Sequence, residues 1–143
     1  MAIISGGVGS FKKELLEGIH DFSADTIKAA LYTSSASLGP TTTAYSATNE
    51  AVGTNYTAGG ITMVLSDGYP ATITRGGYVY GVVAFDDVAV SNVTVTFRAV
   101  LLYNSSKANR AIAVFDKGID TVLIAGSLVL LNNPVAPYLI QIA

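Results

Sequence analysis

The sequence contains no cysteine, no tryptophan and a single histidine, and only 13% of its 143 residues are charged. The lack of cysteine excludes disulfides and thiolate metal sites. A single histidine excludes metal centres built from several imidazoles, and it leaves no Ser–His–Asp or Cys–His site evident. We therefore expect a protein that is not an enzyme and that holds neither a metal nor a cofactor.

The shortage of charge also restricts the choice of partners. Eight basic and ten acidic residues give a net charge of −2, whereas phosphate binding needs clustered lysine and arginine. The most apolar run, residues 122–131, is shorter than the roughly 20 residues that a membrane-spanning helix needs. We expect neither a nucleic acid nor a membrane as a partner.

Apolar residues are abundant instead. They make up 50% of the chain, and the mean hydropathy is +0.48, although average proteins carry about 25% charged residues. Large apolar patches are rare on the surface of monomers. The surplus predicts that other subunits or partners cover part of the surface, as a symmetric homo-oligomer would.

The N-terminal region is predicted to contain the one helix. Residues 1–9 are rich in glycine and nearly uncharged, which is typical of an arm or a short edge strand. Ser10 can cap a short helix that ends near Gly18. The histidine, His20, follows the helix and is expected at the surface or at an interface. The apolar face of the helix would comprise Phe11, Leu15, Leu16 and Ile19.

After the helix the hydrophobic pattern has a period of two. In residues 26–33, the odd-numbered positions from Ile27 to Leu31 would lie on one face of a strand and Tyr32 on the other. A helix capped by Asp25 is the alternative for this segment. Clusters of turn residues, such as Lys117 and Gly118, separate further predicted strands at 61–66, 71–75, 78–85, 93–103, 110–116, 121–131 and 135–142.

This succession of strands indicates the fold class. Short strands with regular turns are typical of a mainly β protein, here an antiparallel β-sandwich or barrel of about seven or eight strands with one short N-terminal helix. The predicted organisation is an arm at residues 1–9 and a single β-rich domain at residues 10–143.

The longest segment without a predicted element spans residues 34–60. It is nearly uncharged and rich in threonine, serine, asparagine, glycine and tyrosine. Loops longer than about 12–15 residues inside a compact domain are usually functional or disordered. We expect this loop to contact a partner through its hydroxyls, amides and tyrosine faces, with Tyr45, Asn49, Glu50, Asn55 and Tyr56 as the candidate contact residues.

Several segments together resemble a known family. They are FKKELLEGIHDF at 11–22 with DTIKAALYTS at 25–34, TTAYSATNEAVGTNYTAGG at 42–60, LYNSSKANRAIAVFD at 102–116 and YLIQIA at 138–143. Over nearly its whole length the chain resembles small virion structural proteins of tailed bacteriophages. One departure is the sequence FDKG at 115–118, where the family pattern has a second aromatic residue and a glycine after the aspartate.

The resemblance implies a structural role in an assembled particle. The implied function is that of a capsid cement or decoration protein, which forms a homotrimer and binds the major capsid protein. Such a protein would be synthesised in the host cytoplasm and would end on the capsid surface of the virion. A tail, adaptor or fibre component is the alternative within the same class. The eight tyrosines leave a carbohydrate- or cell-surface-binding β-module as a further alternative.

Overall fold

The computed structural model of the chain describes residues 2–130 and 140–142. The elements in chain order are β1 (Gly6–Gly7), α1 (Gly9–Leu16), β2 (Ile27–Tyr32), β3 (Ile61–Thr62), β4 (Ala71–Arg75), β5 (Tyr78–Val83), β6 (Val88–Asn104), β7 (Arg110–Leu130) and β8 (Ile140–Ile142). The predicted strand at 135–142 is described only at its end, and residue 131 of the predicted strand 121–131 lies outside the described residues.

The strands form two antiparallel sheets. One has the order β1-β7-β6-β2-β3, and the other has the order β4-β5-β8. In the described residues the sheets are arranged like a sandwich and are not closed into a barrel, so the mainly β prediction is confirmed in its sandwich form. No helix in this part of the chain is long and apolar enough to cross a membrane.

Strand β2 lies between β6 and β3 in the larger sheet and is buried on both faces. It pairs with β6 from Ile27↔Asn104 to Tyr32↔Ala99 and with β3 on its other side. The segment is a strand, as predicted, and Tyr32, on the face opposite Ile27 and Leu31, is also buried, at 1% exposure. The loop that follows β2 folds back over the outer face, where the Tyr32 hydroxyl donates a hydrogen bond to the carbonyl of Ser46.

Strands β6 and β7 form a long two-stranded ribbon. They pair from Asn104↔Arg110 next to the connecting turn to Val88↔Leu130 at the far end. The predicted turn at residues 117–118 is wrong, because β7 runs through it as a bulge. Ala99 faces Asp116 and Phe97 faces Thr121, so residues 117–120 lie opposite one residue of β6. Such a bulge bends the ribbon without ending the strand.

The helix differs from its prediction in how it begins and what it buries. It starts at Gly9, with Val8 as the N-cap residue and no side-chain cap, and Ser10 Oγ is buried without a hydrogen-bond partner among the described residues. The buried helical side chains are Phe11 and Glu14. Leu16, expected in the core, is 92% exposed.

The N-terminal arm lies along its own sheet. Gly6 and Gly7 pair with Val114 and Ala113 of β7, which makes β1 an edge strand. Ile3 pairs with Leu38 in the long loop. The fully buried Val8 then ties the start of α1 to the core, so the arm supports the region from which the loop begins.

Candidate interaction surface

The carboxylate of Glu50 accepts hydrogen bonds from three groups of the long loop. Its Oε2 accepts a hydrogen bond from the Tyr45 hydroxyl at 2.6 Å. Its Oε1 accepts from the Tyr56 hydroxyl and from the Gly59 backbone N–H, both at 2.8 Å. Glu50 is 9% exposed, and no cation lies within ion-pair distance of it in the described residues. Because hydrogen bonds to an ionised acceptor are strong, this one group fixes both halves of the loop.

Tyrosines connect this carboxylate to the sheet below. The Tyr56 hydroxyl accepts a hydrogen bond from the backbone N–H of Leu31 in β2 at 2.8 Å. The Tyr45 ring stacks on the ring of Tyr103 in β6, with the centroids 4.8 Å apart. The Tyr103 hydroxyl in turn donates to the carbonyl of Gly59. The rings of Tyr45 and Tyr103 and the hydroxyls of Tyr56 and Tyr103 therefore all have partners within the subunit.

The same packing holds these phenols in their neutral form. Burial raises the pKa of Tyr45 to about 12, and the hydrogen bond and negative charge of Glu50 act in the same direction. Burial is also the main cause of the raised pKa values of Tyr32, Tyr56 and Tyr103. A phenol that keeps its proton to such a high pH serves as a hydrogen-bond donor and not as a base.

The five side chains predicted to contact a partner all have contacts inside the subunit. Glu50 and Tyr56 are buried and Tyr45 is half-buried. Asn49 and Asn55 are exposed, with φ of 61° and 60°, a region in which asparagine is enriched. Their side-chain amides donate to the carbonyls of Ser35 at 3.1 Å and Asn92 at 2.9 Å, respectively.

Glu50 and Tyr56, expected at a partner contact, have polar groups that are engaged inside the subunit, where they hold the loop in place. Both residues are 9% exposed. Contact between a partner and any of the five residues stays a prediction.

The outer side of the loop presents Val52, which is 92% exposed. The next residue, Gly53, lies so close to β6 that an added Cβ would be 2.1 Å from the carbonyl oxygen of Thr94. Thr54 then pairs with Thr94 through two backbone hydrogen bonds of 2.9 and 3.1 Å. The loop therefore extends the sheet beside β6, beyond the end of β2, with Val52 directed away from the core.

An open groove lies where this part of the loop meets β6 and β7. Its volume is about 790 Å³. Val122 and Ile124 of β7, 60% and 79% exposed, line it together with Val52. Hydroxyl-bearing residues complete the lining: Thr33, Thr54, Thr94 and Thr96. We call this surface the valine–threonine groove, and apart from Glu50 its described lining is uncharged.

A second feature, a buried polar cluster, lies between the N-terminal segment and the turn that joins β6 to β7. The prediction that His20 lies at the surface is wrong, because its side chain is fully buried. Its Nε2 is 2.7 Å from Glu14 Oε2, and its Nδ1 is 3.0 Å from Asn104 Nδ2. The ring packs against Phe11 and Phe22, with centroids 5.0 and 6.4 Å away.

Two ion pairs flank the histidine. Arg110 donates to Glu14 Oε1 at 2.9 Å, and Lys107 Nζ lies 3.6 Å from Asp25 Oδ1. Burial alone would raise the pKa of Asp25, but hydrogen bonds from the Asp21 N–H and the Asn104 amide, together with Lys107, lower it overall. We name these contacts between residues 14–25 and residues 104–110 the N-terminal clasp.

The described residues contain no group of three or more histidine, aspartate or glutamate side chains placed so that it could hold a metal ion. The clasp could not be predicted from the sequence, because its residues are far apart in the chain. His20 and Asn104 are 84 positions apart, and Glu14 and Arg110 are 96 positions apart. Comparison of the chain with protein-family models, curated proteins and solved structures finds no match.

Proposed function

We propose that this chain is a non-enzymatic structural protein of a virion, a capsid cement or decoration protein of a tailed bacteriophage. In this proposal the chain associates with copies of itself, as a trimer, and binds the lattice of the major capsid protein. The resemblance of its sequence to small virion structural proteins supports the class of function.

The observation that carries the proposal is the valine–threonine groove. Val52, Val122 and Ile124 expose apolar area on one continuous surface, and apolar surface of this kind marks interaction sites on proteins. The surrounding threonine hydroxyls can hydrogen-bond to a neighbouring backbone or side chain. Apart from Glu50 the lining of the groove is uncharged, which suits an interface whose centre is depleted of charge.

Half of the eight tyrosines are engaged within the subunit and do not support the carbohydrate-binding alternative, whereas Tyr78 is 71% exposed. Four of them, Tyr32, Tyr45, Tyr56 and Tyr103, use their hydroxyls or ring faces within the subunit. A sugar platform needs aromatic faces that are open to solvent. The four internal tyrosines therefore contribute to the fold and not to a lectin-like surface.

The first test is the mass of the purified protein, measured by light scattering coupled to size-exclusion chromatography. The sample is then mixed with expanded capsids that lack the protein, and the capsids are pelleted. We expect an oligomer that co-pellets in proportion to the symmetric sites of the lattice. Multivalent attachment would make the apparent affinity much higher than that of one subunit.

Two results would contradict the proposal. A monomer that does not pellet with capsids would contradict both the proposed self-association and the proposed binding to the capsid lattice. An oligomer that ignores capsids but labels the tail in immunogold electron microscopy would move the protein to the tail, adaptor or fibre class.

A further inference from the structure

The hydrogen bonds of the N-terminal clasp determine where the protons of His20 lie. The backbone N–H of Ser106 points at Asn104 Oδ1, at 3.0 Å. Because a backbone N–H can only donate, this atom of the amide must be the oxygen. The amide nitrogen of Asn104 therefore faces the other way, towards Asp25 Oδ2 at 2.7 Å and His20 Nδ1 at 3.0 Å.

The amide nitrogen has two protons and gives one to each neighbour. Asp25 accepts one of them. His20 Nδ1 must accept the other, so Nδ1 carries no proton. The ring proton then resides on Nε2, which donates to Glu14 Oε2 at 2.7 Å. Asn104, which is fully buried, is thereby satisfied at both ends of its amide.

The charges around the ring balance when His20 is neutral. Glu14 on α1 is paired with Arg110 at the start of β7, and Asp25 is paired with Lys107 in the turn between β6 and β7. These four are the charged groups in hydrogen-bond or ion-pair contact with the clasp in the described residues. A second ring proton would add an unmatched positive charge to a side chain that is fully buried.

The position of that second proton matters more than its charge. The Glu14 carboxylate attracts a protonated imidazole, but its hydrogen bond to Nε2 already exists in the neutral form. The new proton would sit on Nδ1, where it would meet an N–H of Asn104 at a separation of 3.0 Å between the nitrogens. Two donors then face each other, and neither has an acceptor.

We propose that the contacts of the N-terminal clasp are sensitive to acid. Neutral His20 holds residues 14–25 against the β6–β7 turn, and protonation at Nδ1 breaks this contact. Its loss would also weaken the hydrogen bond from the Thr26 N–H to Ser106 Oγ, which lies at the edge of the clasp at 2.8 Å. This proposal rests on the clasp alone and is independent of the proposed function.

The first experiment determines the tautomer. In ¹⁵N-labelled wild-type protein at pH 7.5, a long-range ¹H–¹⁵N correlation spectrum reports both imidazole nitrogens of the one histidine. We expect an unprotonated Nδ1 and a protonated Nε2. A ring protonated on Nδ1, or on both nitrogens, would overturn the proposal.

The second experiment compares unfolding in urea of the wild type and of His20→Gln, between pH 7.5 and pH 5. Glutamine can donate to Glu14 and accept from Asn104, as neutral histidine does, but it does not titrate. In the folded clasp a proton on Nδ1 faces an N–H of Asn104 and has no acceptor, whereas water accepts it in the unfolded chain. Acidification must then destabilise the wild type.

We expect the folded-to-unfolded ratio of the wild type, relative to His20→Gln, to fall several-fold between pH 7.5 and pH 5. A constant ratio, or one that rises on acidification, would overturn the proposal. If His20→Gln does not fold, hydrogen exchange of the wild type decides. Protection of the Thr26 and Ser106 amides, corrected for intrinsic exchange, must fall on acidification while that of Leu31 does not.

Discussion

At the residue scale, Glu50 decides how the long loop is held, because three donors converge on its carboxylate. We expect Glu50→Ala to lower the free energy of unfolding by roughly 2–4 kcal/mol, since it leaves the buried Tyr56 hydroxyl without its acceptor. Urea unfolding followed by circular dichroism measures this loss. Glu17→Ala is the control: it removes an exposed pair with Lys13 and should change stability by less than about 0.5 kcal/mol. Equal losses in the two variants would contradict the role given to Glu50.

The buried phenols predict an alkaline limit to stability. The folded-state pKa of Tyr45 is raised from 10.0 to about 12, and those of Tyr32, Tyr56 and Tyr103 are raised as well. A raised pKa stabilises the fold below the unfolded value, and this contribution is lost as the pH rises from 10 through the folded value. Absorbance at 295 nm should therefore show a group of tyrosines that ionise only together with alkaline unfolding. Ionisation of all tyrosines before any loss of circular dichroism would disagree with this packing.

At the scale of elements, the close approach of the loop to β6 depends on Gly53. A methyl group there would lie 2.1 Å from the Thr94 carbonyl oxygen and 2.8 Å from Val95 Cβ. We expect Gly53→Ala to destabilise the protein by roughly 1–3 kcal/mol through overpacking, with a loss of amide protection at Thr54 and Thr94. Gly81→Ala is the matched control, because a Cβ at this strand position meets nothing within 4 Å. A Gly53→Ala protein as stable as Gly81→Ala would show that the loop is not seated as described.

Elements whose signals are local could be predicted from the sequence. In residues 71–74 apolar and polar side chains alternate, and turn residues flank residues 71–75 on both sides. Strand β4 spans Ala71–Arg75 as predicted. The bulge at residues 117–120 could not be predicted, because Lys117 and Gly118 have the composition of a turn and only the register of β6 shows that β7 continues. The importance of the long loop followed from its length. Which of its side chains face inwards did not, since tyrosine and glutamate contacts such as Tyr56–Glu50 depend on how the loop folds over β2.

At the scale of the whole molecule, the valine–threonine groove should control self-association. We expect the double variant Val52→Ser, Ile124→Ser to raise the dissociation constant of the proposed oligomer at least about tenfold, because it removes two apolar side chains from the proposed interface. Sedimentation equilibrium across a dilution series measures the change. Leu16→Ser is the control, since Leu16 is as exposed as Val52, at 92%, and lies outside the groove. Dissociation by Leu16→Ser, with an intact oligomer in the double variant, would place the interface elsewhere.

The ribbon of β6 and β7 also has a consequence for the order in which the parts of the molecule fold. Its two strands are joined by residues 105–109 alone, so they can pair early, whereas β2 and the loop must return to β6 from far away in the chain. The groove needs all of these parts, because Val52 comes from the loop and Ile124 from the ribbon. We therefore expect the groove to be the last surface completed during folding. A chain that has not finished folding would then lack the surface that we propose for association, and incomplete subunits would be excluded from the proposed assembly.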